Sequence, residues 1–190
     1  MALGKQAKIL SDAQVKTVLT HLRGTRHAQR NQLMVLLSCD AGLRAKEIAS
    51  LTWAMVTDSE GKIADAIRLE DKASKGRSGG VVYMSKRLRA HLVEFAGKGE
   101  LVGTVIKSRD GDAMGAQVVT NWFFALYRTL GFQGCSSHSG RRTAITRWAR
   151  NITTAGGSLV DVQRLARHAS LAMTQRYIEV SADAMRKVVG

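Results

Sequence analysis

The 190-residue sequence contains no proline, has two cysteines and shows no long apolar run. The amino-terminal segment MALGKQAKIL lacks the apolar stretch of a secretory signal peptide, and no segment is apolar over the length that a membrane-spanning helix needs. Cys39 and Cys135 are too few for a disulfide scaffold. Cys135 and His138 together supply only part of the ligand set of a structural zinc site. We therefore expect an intracellular protein with reduced thiols and no metal ion.

Acidic residues are scarce as well, because 29 Lys and Arg stand against 15 Asp and Glu, for a net charge of +14. The excess is concentrated at residues 1–56, with 8 basic and 3 acidic side chains, and at residues 135–190, with 9 and 3. Residues 72–89 add six basic side chains and no acidic one. One such region is usually a solvated face, but three favour a polyanionic partner. Duplex nucleic acid is the leading candidate. An anionic membrane is a distant second, because neither terminus carries the basic amphipathic helix that would bind one.

The hydrophobic content of 45% is enough for a core, and the length predicts a single domain spanning residues 1–190. Apolar periodicity and capping residues predict helices over residues 12–22, 26–39, 44–51, 85–96, 116–130, 139–151, 159–167 and 171–178. The runs TWAMV, AIRLE and VVYM predict three strands, with the polar turn KASKGRSGG between the last two. The expected fold is mainly α with a small three-stranded antiparallel β-sheet.

Two segments of the second half carry residues suited to chemistry on a phosphate. In HSGRRTAITRW, His138 and Arg141 lie three residues apart at a predicted helix start, where free N–H groups favour an anion. In RHASLAMTQRYIEV, His168 precedes Tyr177 by nine residues. Each pair taken alone is more often structural than functional, since short motifs match by chance and a tyrosine near a helix end is commonly an interfacial core residue.

The first half carries two more candidates. Arg44 follows AGL and precedes Glu47 by three residues, so Glu47 would orient the guanidinium, although a surface ion pair explains the spacing equally well. Lys75 lies in the predicted hairpin turn, where it is either a general acid or one phosphate contact among several.

Taken in chain order, these six residues resemble the catalytic set of the tyrosine recombinases, the phage integrase superfamily, which shares its catalytic fold with the type IB topoisomerases. The matching strings are AGLRAKEIASLTW, KASKGRSGGVVYMS, HSGRRTAITRWA and LARHASLAMTQRYIEV, and together they extend over about residues 10 to 180. The resemblance implies the DNA breaking-rejoining catalytic fold and site-specific cutting and rejoining of duplex DNA through a 3'-phosphotyrosine. It implies catalytic roles for Arg44, Lys75, His138, Arg141, His168 and Tyr177, with Glu47 in support.

The reaction needs neither a metal nor a cofactor, because two guanidiniums can stabilise the negative charge that builds on the phosphate oxygens. The resemblance also implies a homotetramer on synapsed DNA sites, accessory DNA-bending or core-binding proteins, and a cytoplasmic, nucleoid-associated location. We expect further DNA contacts from Lys46, Lys72, Arg77, Arg142 and Arg167, with Lys72 as the second choice for the acid. Helix 116–130, with Gln117, Asn121 and Arg128, is the expected reader of base sequence.

The chain departs from the family pattern in three places and in its length. Ser139-Gly140 stands where Asp-Leu is common, Arg142 where His is common, and Arg167 where Gly is common. Only 43 residues precede Arg44, so we expect the separate core-binding domain to be absent, either naturally, as in the fimbrial phase-switch invertases, or in an excised fragment. We expect residues 181–190 to form a tail that docks on a neighbouring subunit or frays.

Other functions fit the sequence less well. A topoisomerase-like relaxing enzyme would use the same residues, and a noncatalytic DNA-binding module would keep the fold, but loss of activity should have removed at least one of the six. A nucleoside-triphosphate enzyme is excluded because the glycine-rich KGRSGG is not a G-x-x-x-x-G-K-[ST] motif. Tyr83 is a poor alternative nucleophile because it belongs to an apolar strand.

Overall fold

The computed structural model describes residues 6–73, 79–97, 99–177, 186 and 189. It divides into two compact units, residues 1–144 and 145–190, which are described separately. The helices are α1 (Asp12–Arg23), α2 (Ala28–Cys39), α3 (Ala45–Ala49), α4 (Lys86–Ala96), α5 (Ala116–Thr129), α6 (Ser139–Asn151), α7 (Leu159–Ala166) and α8 (Leu171–Gln175). No helix among the described residues is long and apolar enough to cross a membrane.

Polar residues set the ends of several helices. Ser11 accepts a hydrogen bond from the N–H of Gln14 and begins α1, and Ser85 does the same for Leu88 at the start of α4. The second helix begins two residues later than its periodicity predicts, because His27 adopts a left-handed conformation (φ 61°) just before it. Periodicity shows which residues face the core and not where the backbone enters the helix.

The first unit is built around one apolar core. α1 and α4 both pack on α2, whose residues Leu33–Leu37 are all buried, and α3 packs on α5. The largest fully buried side chains include Phe123 and Tyr127 of α5 and Leu88 and Leu92 of α4. This packing fixes the carboxyl end of α2 and the amino end of α3, between which the first predicted catalytic arginine lies.

The sheet has two described strands, β1 (Ala66–Leu69) and β2 (Gly80–Tyr83), so the prediction of three strands is wrong. The strands pair antiparallel, with Ile67 opposite Val82, both buried. The segment TWAMV instead forms a 3-10 turn over Trp53–Met55, and Thr52 and Thr57 on either side of the turn each pair with a single residue, Thr104 and Ile63. A short apolar run is compatible with a strand or a buried turn. Here Trp53, Met55 and Val56 are all buried, which the alternating faces of a strand with one exposed side would not allow.

The second unit contains the last part of α6 with α7 and α8. Its core consists of Ile145, Val162 and Ala166, with Trp148, Ile152, Leu159 and Tyr177 packed against them. α7 and α8 are in contact, and the short segment between them carries His168. The tail predicted at residues 181–190 lies outside the described residues, apart from residues 186 and 189.

Candidate active site

Residues Asp40–Arg44, here called the arginine loop, connect α2 to α3. The chain turns at Gly42, whose φ of 63° is a left-handed conformation that glycine adopts without a steric penalty. The N–H of Leu43 donates back to the carbonyl of Leu37 (3.0 Å), which ties the loop to the last turn of α2. Ala41, Gly42 and Leu43 are buried, so the backbone that presents Arg44 is fixed by packing and by hydrogen bonding.

Arg44 is held by Glu47 through two separate hydrogen bonds. The backbone N–H of Arg44 donates to Glu47 Oε2 (2.8 Å), and Arg44 Nη1 donates to Glu47 Oε1 (2.7 Å). The side chain of Glu47 is fully buried, whereas that of Arg44 is 22% exposed. Because the carboxylate is buried, this is not a surface ion pair. The arrangement restrains the guanidinium and leaves part of it accessible to an anion.

Arg141, much further along the chain, is hydrogen-bonded to the same arginine loop. It lies in α6, is 4% exposed and donates from Nη1 to the carbonyl of Gly42. Gly42 is two residues before Arg44, so one loop of five residues contains Arg44 and accepts a hydrogen bond from Arg141. This contact links α6 to the loop that contains Arg44 across 99 residues of chain.

The neighbouring Gly140 explains how α6 comes so close to α2. An added Cβ at Gly140 would lie 2.8 Å from Ser38 Cβ and 3.0 Å from Cys39 Sγ, and closer still to Ser38 Oγ. These distances are shorter than van der Waals contact between heavy atoms. The glycine at a position where the family commonly has leucine is therefore required by the approach of α6 to the end of α2.

His138 lies in the turn before α6 and is exposed. Its N–H donates to Ser136 Oγ (3.3 Å), and its carbonyl accepts from the N–H of Arg142 (2.9 Å). The side chain of Arg142 donates to the carbonyl of Ala7 (2.9 Å), so this guanidinium is engaged with the amino-terminal segment. Exposure leaves the imidazole of His138 accessible, while the DNA contact predicted for Arg142 would have to compete with Ala7.

The second unit holds His168 and Tyr177 against each other. Their rings stack with centroids 5.2 Å apart and an interplanar angle of 26°. His168 is 6% exposed, and a hydrogen bond joins its Nδ1 to the hydroxyl of the fully buried Thr174 (3.0 Å). The carbonyl of Tyr177 accepts a hydrogen bond from Thr146 Oγ1 (3.2 Å). The hydrogen bond between Nδ1 and the buried Thr174 fixes the orientation of the imidazole against the Tyr177 ring.

The three tyrosines of the chain differ sharply in environment. Tyr127 is 1% exposed in the first core, and burial raises its pKa well above the ordinary value, so it cannot act as a nucleophile on DNA. Tyr83 is 67% exposed on β2. Tyr177 is partly buried and stacked on an imidazole. Among the described contacts, Tyr177 combines partial exposure with a neighbouring imidazole able to act in proton transfer or phosphate binding.

The remaining predicted residues lie elsewhere or outside the description. Lys46 is exposed on α3. Arg167 ends α7 in a left-handed conformation (φ 53°), and its Nε and Nη1 atoms are buried. The glycine that is common at this position in the family would adopt that conformation at no cost. Lys75 and Arg77 lie outside the described residues, as does the side chain of Lys72.

Sequence reasoning missed the groups that hold the catalytic candidates, chiefly the carbonyl of Gly42 and the hydroxyl of Thr174. The hydrogen bond from Arg141 to the carbonyl of Gly42 spans 99 residues of chain, so no local pattern indicates it. Thr174 stands three residues before Tyr177, one helical turn away, and that spacing was the available signal for a supporting hydroxyl.

Comparison with protein families gives a match to the model described as the phage integrase family over residues 8–183. Tyrosine recombinase XerA of Thermococcus kodakarensis (strain ATCC BAA-918 / JCM 12380 / KOD1) is 27% identical over 187 residues, which is 95% of this chain and 61% of that protein. The chain thus spans about three fifths of the length of this curated relative.

Solved structures show the same fold at low sequence identity. The crystal structure of XerA recombinase superposes with a TM-score of 0.73 at 19% identity, covering 99% of this chain and 64% of that one. The XerH site-specific recombinase bound to difH substrate, in a pre-cleavage complex, gives a TM-score of 0.68 at 18% identity over 100% of this chain and 55% of that one. The architecture of helices and a two-stranded sheet is therefore the catalytic fold of tyrosine recombinases.

Proposed function

Because the chain belongs to the phage integrase family, the tyrosine recombinases, we propose that it cuts and rejoins duplex DNA at specific sites through a covalent 3'-phosphotyrosine at Tyr177. The observation that carries the proposal is the arginine loop, which accepts a hydrogen bond from Arg141 and ends at Arg44, whose guanidinium is held by Glu47. A phosphodiester is already an anion, and attack by another oxygen places further negative charge on its nonbridging oxygens. Two restrained guanidiniums supply the bidentate donors that stabilise this charge.

Tyr177 is the proposed nucleophile. Attack of its phenolic oxygen on phosphorus breaks the bond to the 5' oxygen of the next nucleotide and leaves a free 5'-hydroxyl. The phosphotyrosine diester keeps the bond energy for the reverse step, in which a 5'-hydroxyl attacks and tyrosine leaves. No external energy source is needed, since the number of phosphodiester bonds does not change.

Proton transfers are assigned to the remaining residues. His138, exposed before α6, accepts the phenolic proton, and Lys75 donates a proton to the departing 5' oxygen. His168 donates a hydrogen bond to the phosphate, and Thr174, which is hydrogen-bonded to Nδ1, holds the ring in the orientation for it.

The proposed partner is double-stranded DNA, on which the chain assembles as a homotetramer across two synapsed sites, with accessory DNA-bending or core-binding proteins. Support comes from solved relatives in complex with DNA, among them a lambda integrase dimer bound to a core site and the Tn1549 transposon integrase with a circular intermediate DNA. On this basis the exposed face of α5, with Gln117, Asn121 and Arg128, is the proposed reader of base edges.

The test uses nicked duplexes made from the DNA that flanks the gene, with inverted repeats as the chosen sites. The nick lets a short product diffuse away, so that the covalent adduct accumulates and migrates more slowly on a denaturing gel. Tyr177→Phe should bind the DNA with a Kd within about twofold of the wild type and form no adduct, because only the hydroxyl is removed. An adduct formed by Tyr177→Phe would overturn the assignment.

A second substrate separates the acid from the other residues. When sulfur replaces the 5' oxygen at the scissile bond, the leaving group needs no proton, so Lys75→Ala should cleave this substrate as fast as the wild type does. Failure of the rescue would transfer the role to Lys72. Sequence-independent relaxation of supercoiled plasmid, with no strand exchange, would instead show a relaxing enzyme.

A further inference from the structure

Asp40 places a carboxylate inside the first unit, at the start of the arginine loop. Its side chain is 2% exposed. It accepts hydrogen bonds from Ser85 Oγ (2.8 Å), Arg87 Nε (3.1 Å) and Arg87 Nη2 (2.6 Å). The hydrogen bond to Asp40 raises the pKa of the Arg87 guanidinium. A buried carboxylate with three donors is fixed in both position and orientation.

The backbone of Asp40 belongs to the loop that contains Arg44 and accepts a hydrogen bond from Arg141. Asp40 follows the last residue of α2, and its N–H donates to the carbonyl of Leu36 (2.8 Å). Two residues later Gly42 accepts the hydrogen bond from Arg141, and after two more residues the chain reaches Arg44. The side chain of Asp40 is therefore the anchor of the loop on the side that faces α4.

The donors that hold Asp40 belong to Ser85 and Arg87, at the start of α4. Ser85 caps α4, whose Leu88 and Leu92 are fully buried, so the amino end of this helix is firmly seated. α4 begins three residues after β2 ends, and β2 pairs with β1. The chain between β1 and β2 carries Lys75. Asp40 thus ties the arginine loop to the base of the hairpin that bears the proposed general acid.

Stability alone does not account for a charge at this position. α2 and α4 already pack through apolar side chains, and a buried ion pair is often no more stabilising than apolar residues of the same volume. What an ion pair with three hydrogen bonds adds is a defined geometry. Catalysis depends steeply on geometry, since a misplacement of about 1 Å in a reacting group can reduce a rate by about 100-fold.

Resting on the function proposed above, we infer that Asp40 is a positioning residue, which through Ser85 and Arg87 holds the arginine loop so that Arg44 and Arg141 meet the scissile phosphate. It touches neither DNA nor the reacting atoms. Its effect is exerted on the two guanidiniums and is greatest in the step that places charge on the nonbridging oxygens.

The experiment compares Asp40→Asn with Asp65→Asn. Asp65 Oδ1 forms an ion pair with Nε of Arg89, which like Arg87 belongs to α4 (2.9 Å). The side chain of Asp65 is 92% exposed, and Asp65 is not part of the arginine loop. Single-turnover cleavage of the nicked duplex is measured at saturating DNA, with the thermal midpoint and Kd of each variant. Asp40→Asn should lower the cleavage rate about 100-fold with Kd changed less than about threefold, and Asp65→Asn should leave both within about twofold.

A neutral substrate separates positioning from loss of structure. A methylphosphonate at the scissile position lacks one charged oxygen and depends less on the two guanidiniums, so Asp40→Asn should lose only about tenfold or less on it. A merely destabilised protein would lose the same factor on both substrates, and that result would overturn the inference. If Asp40→Asn does not fold, Arg87→Lys replaces it, because this variant keeps the charge and loses the bidentate fork.

A DNA-free measurement keeps this inference separate from the proposed function. The Nε–H signals of Arg44 and Arg141 in a ¹H–¹⁵N spectrum should shift or broaden in Asp40→Asn, whereas that of Arg109, which pairs with Asp110, should not. If the wild-type chain forms no adduct, the proposed function fails while the spectrum still decides whether Asp40 holds the arginines. Unchanged Arg44 and Arg141 signals in a folded Asp40→Asn variant would refute the role.

Discussion

Gly140→Ala is the substitution whose effect the structure specifies most closely. The new Cβ would lie 2.8 Å from Ser38 Cβ and 3.0 Å from Cys39 Sγ, where carbon atoms normally stay about 3.5–4.0 Å apart. Ser38 is buried in α2 and cannot leave by rotating into solvent, so α6 has to move away by several tenths of an ångström. Arg141 is the next residue, and its hydrogen bond to Gly42 has to stretch with it.

The expected loss of stability follows from two opposing effects. Overpacking a core costs about 1–3 kcal/mol. Replacing glycine by alanine inside a helix gains about 1 kcal/mol at most, and less in the first turn, where Gly140 lies. A net destabilisation of about 1–2 kcal/mol corresponds to a thermal midpoint lower by about 2–8 °C in a chain of this size. The cleavage rate should fall more steeply, by about 10- to 100-fold, because Arg141 moves.

Thermal unfolding by circular dichroism and single-turnover cleavage measure the two effects. Gly115→Ala is the control, since Gly115 precedes α5 with a φ of −69° and a Cβ there would meet no atom within 4 Å. Ser38→Gly combined with Gly140→Ala removes the two nearest clashing atoms, Oγ and Cβ of Ser38, and should restore most of the cleavage rate. A Gly140→Ala variant as stable and as active as the wild type would refute the argument that the glycine is required by the approach of α6 to α2.

Three further predictions concern other residues. Thr174→Val should lower the cleavage rate at least about tenfold, because His168 Nδ1 loses its buried hydrogen-bond partner. Thr174→Ser should cleave at close to the wild-type rate, and equal rates for the Val and Ser variants would show that the Thr174 hydroxyl has no role in the site. The free energy of unfolding in urea should be about 1 kcal/mol larger for Arg167→Gly than for Arg167→Ala, because only glycine adopts the left-handed backbone without strain. Both variants lack the guanidinium, so equal free energies of unfolding would contradict this prediction. DNA binding should weaken by about 1,000-fold between 50 and 200 mM salt if the net charge of +14 serves to grip phosphates, and a nearly constant Kd would refute that use of the charge.

Local patterns predicted much of the secondary structure. Ser85 followed by amphipathic periodicity predicted α4 over residues 85–96, and the structure has it at Lys86–Ala96. The periodicity of residues 139–151 likewise predicted α6. These elements are encoded by capping and by side chains three or four residues apart, which a single segment displays. The prediction of a third strand was wrong because the conformation at Trp53 depends on a distant loop. The N–H of Trp53 donates to the carbonyl of Gly103, fifty residues further along the chain.

The candidate site was likewise predictable only in part. The sequence identified the chemically active side chains through their order and types. It did not indicate what holds them, because those contacts join distant segments: Asp40 to Arg87 across 47 residues and Gly42 to Arg141 across 99. Residue type gives the chemistry that a side chain can perform, and its position depends on tertiary packing that no local pattern reveals.

The central claim is that Tyr177 becomes covalently joined to DNA. It is tested most directly by digesting the adduct formed on a nicked duplex with trypsin and nuclease and identifying the modified peptide by mass spectrometry. We expect one modified peptide that contains Tyr177 and carries a nucleotide through its 3' phosphate. A nucleotide on any other residue, or attachment through a 5' phosphate, would contradict it.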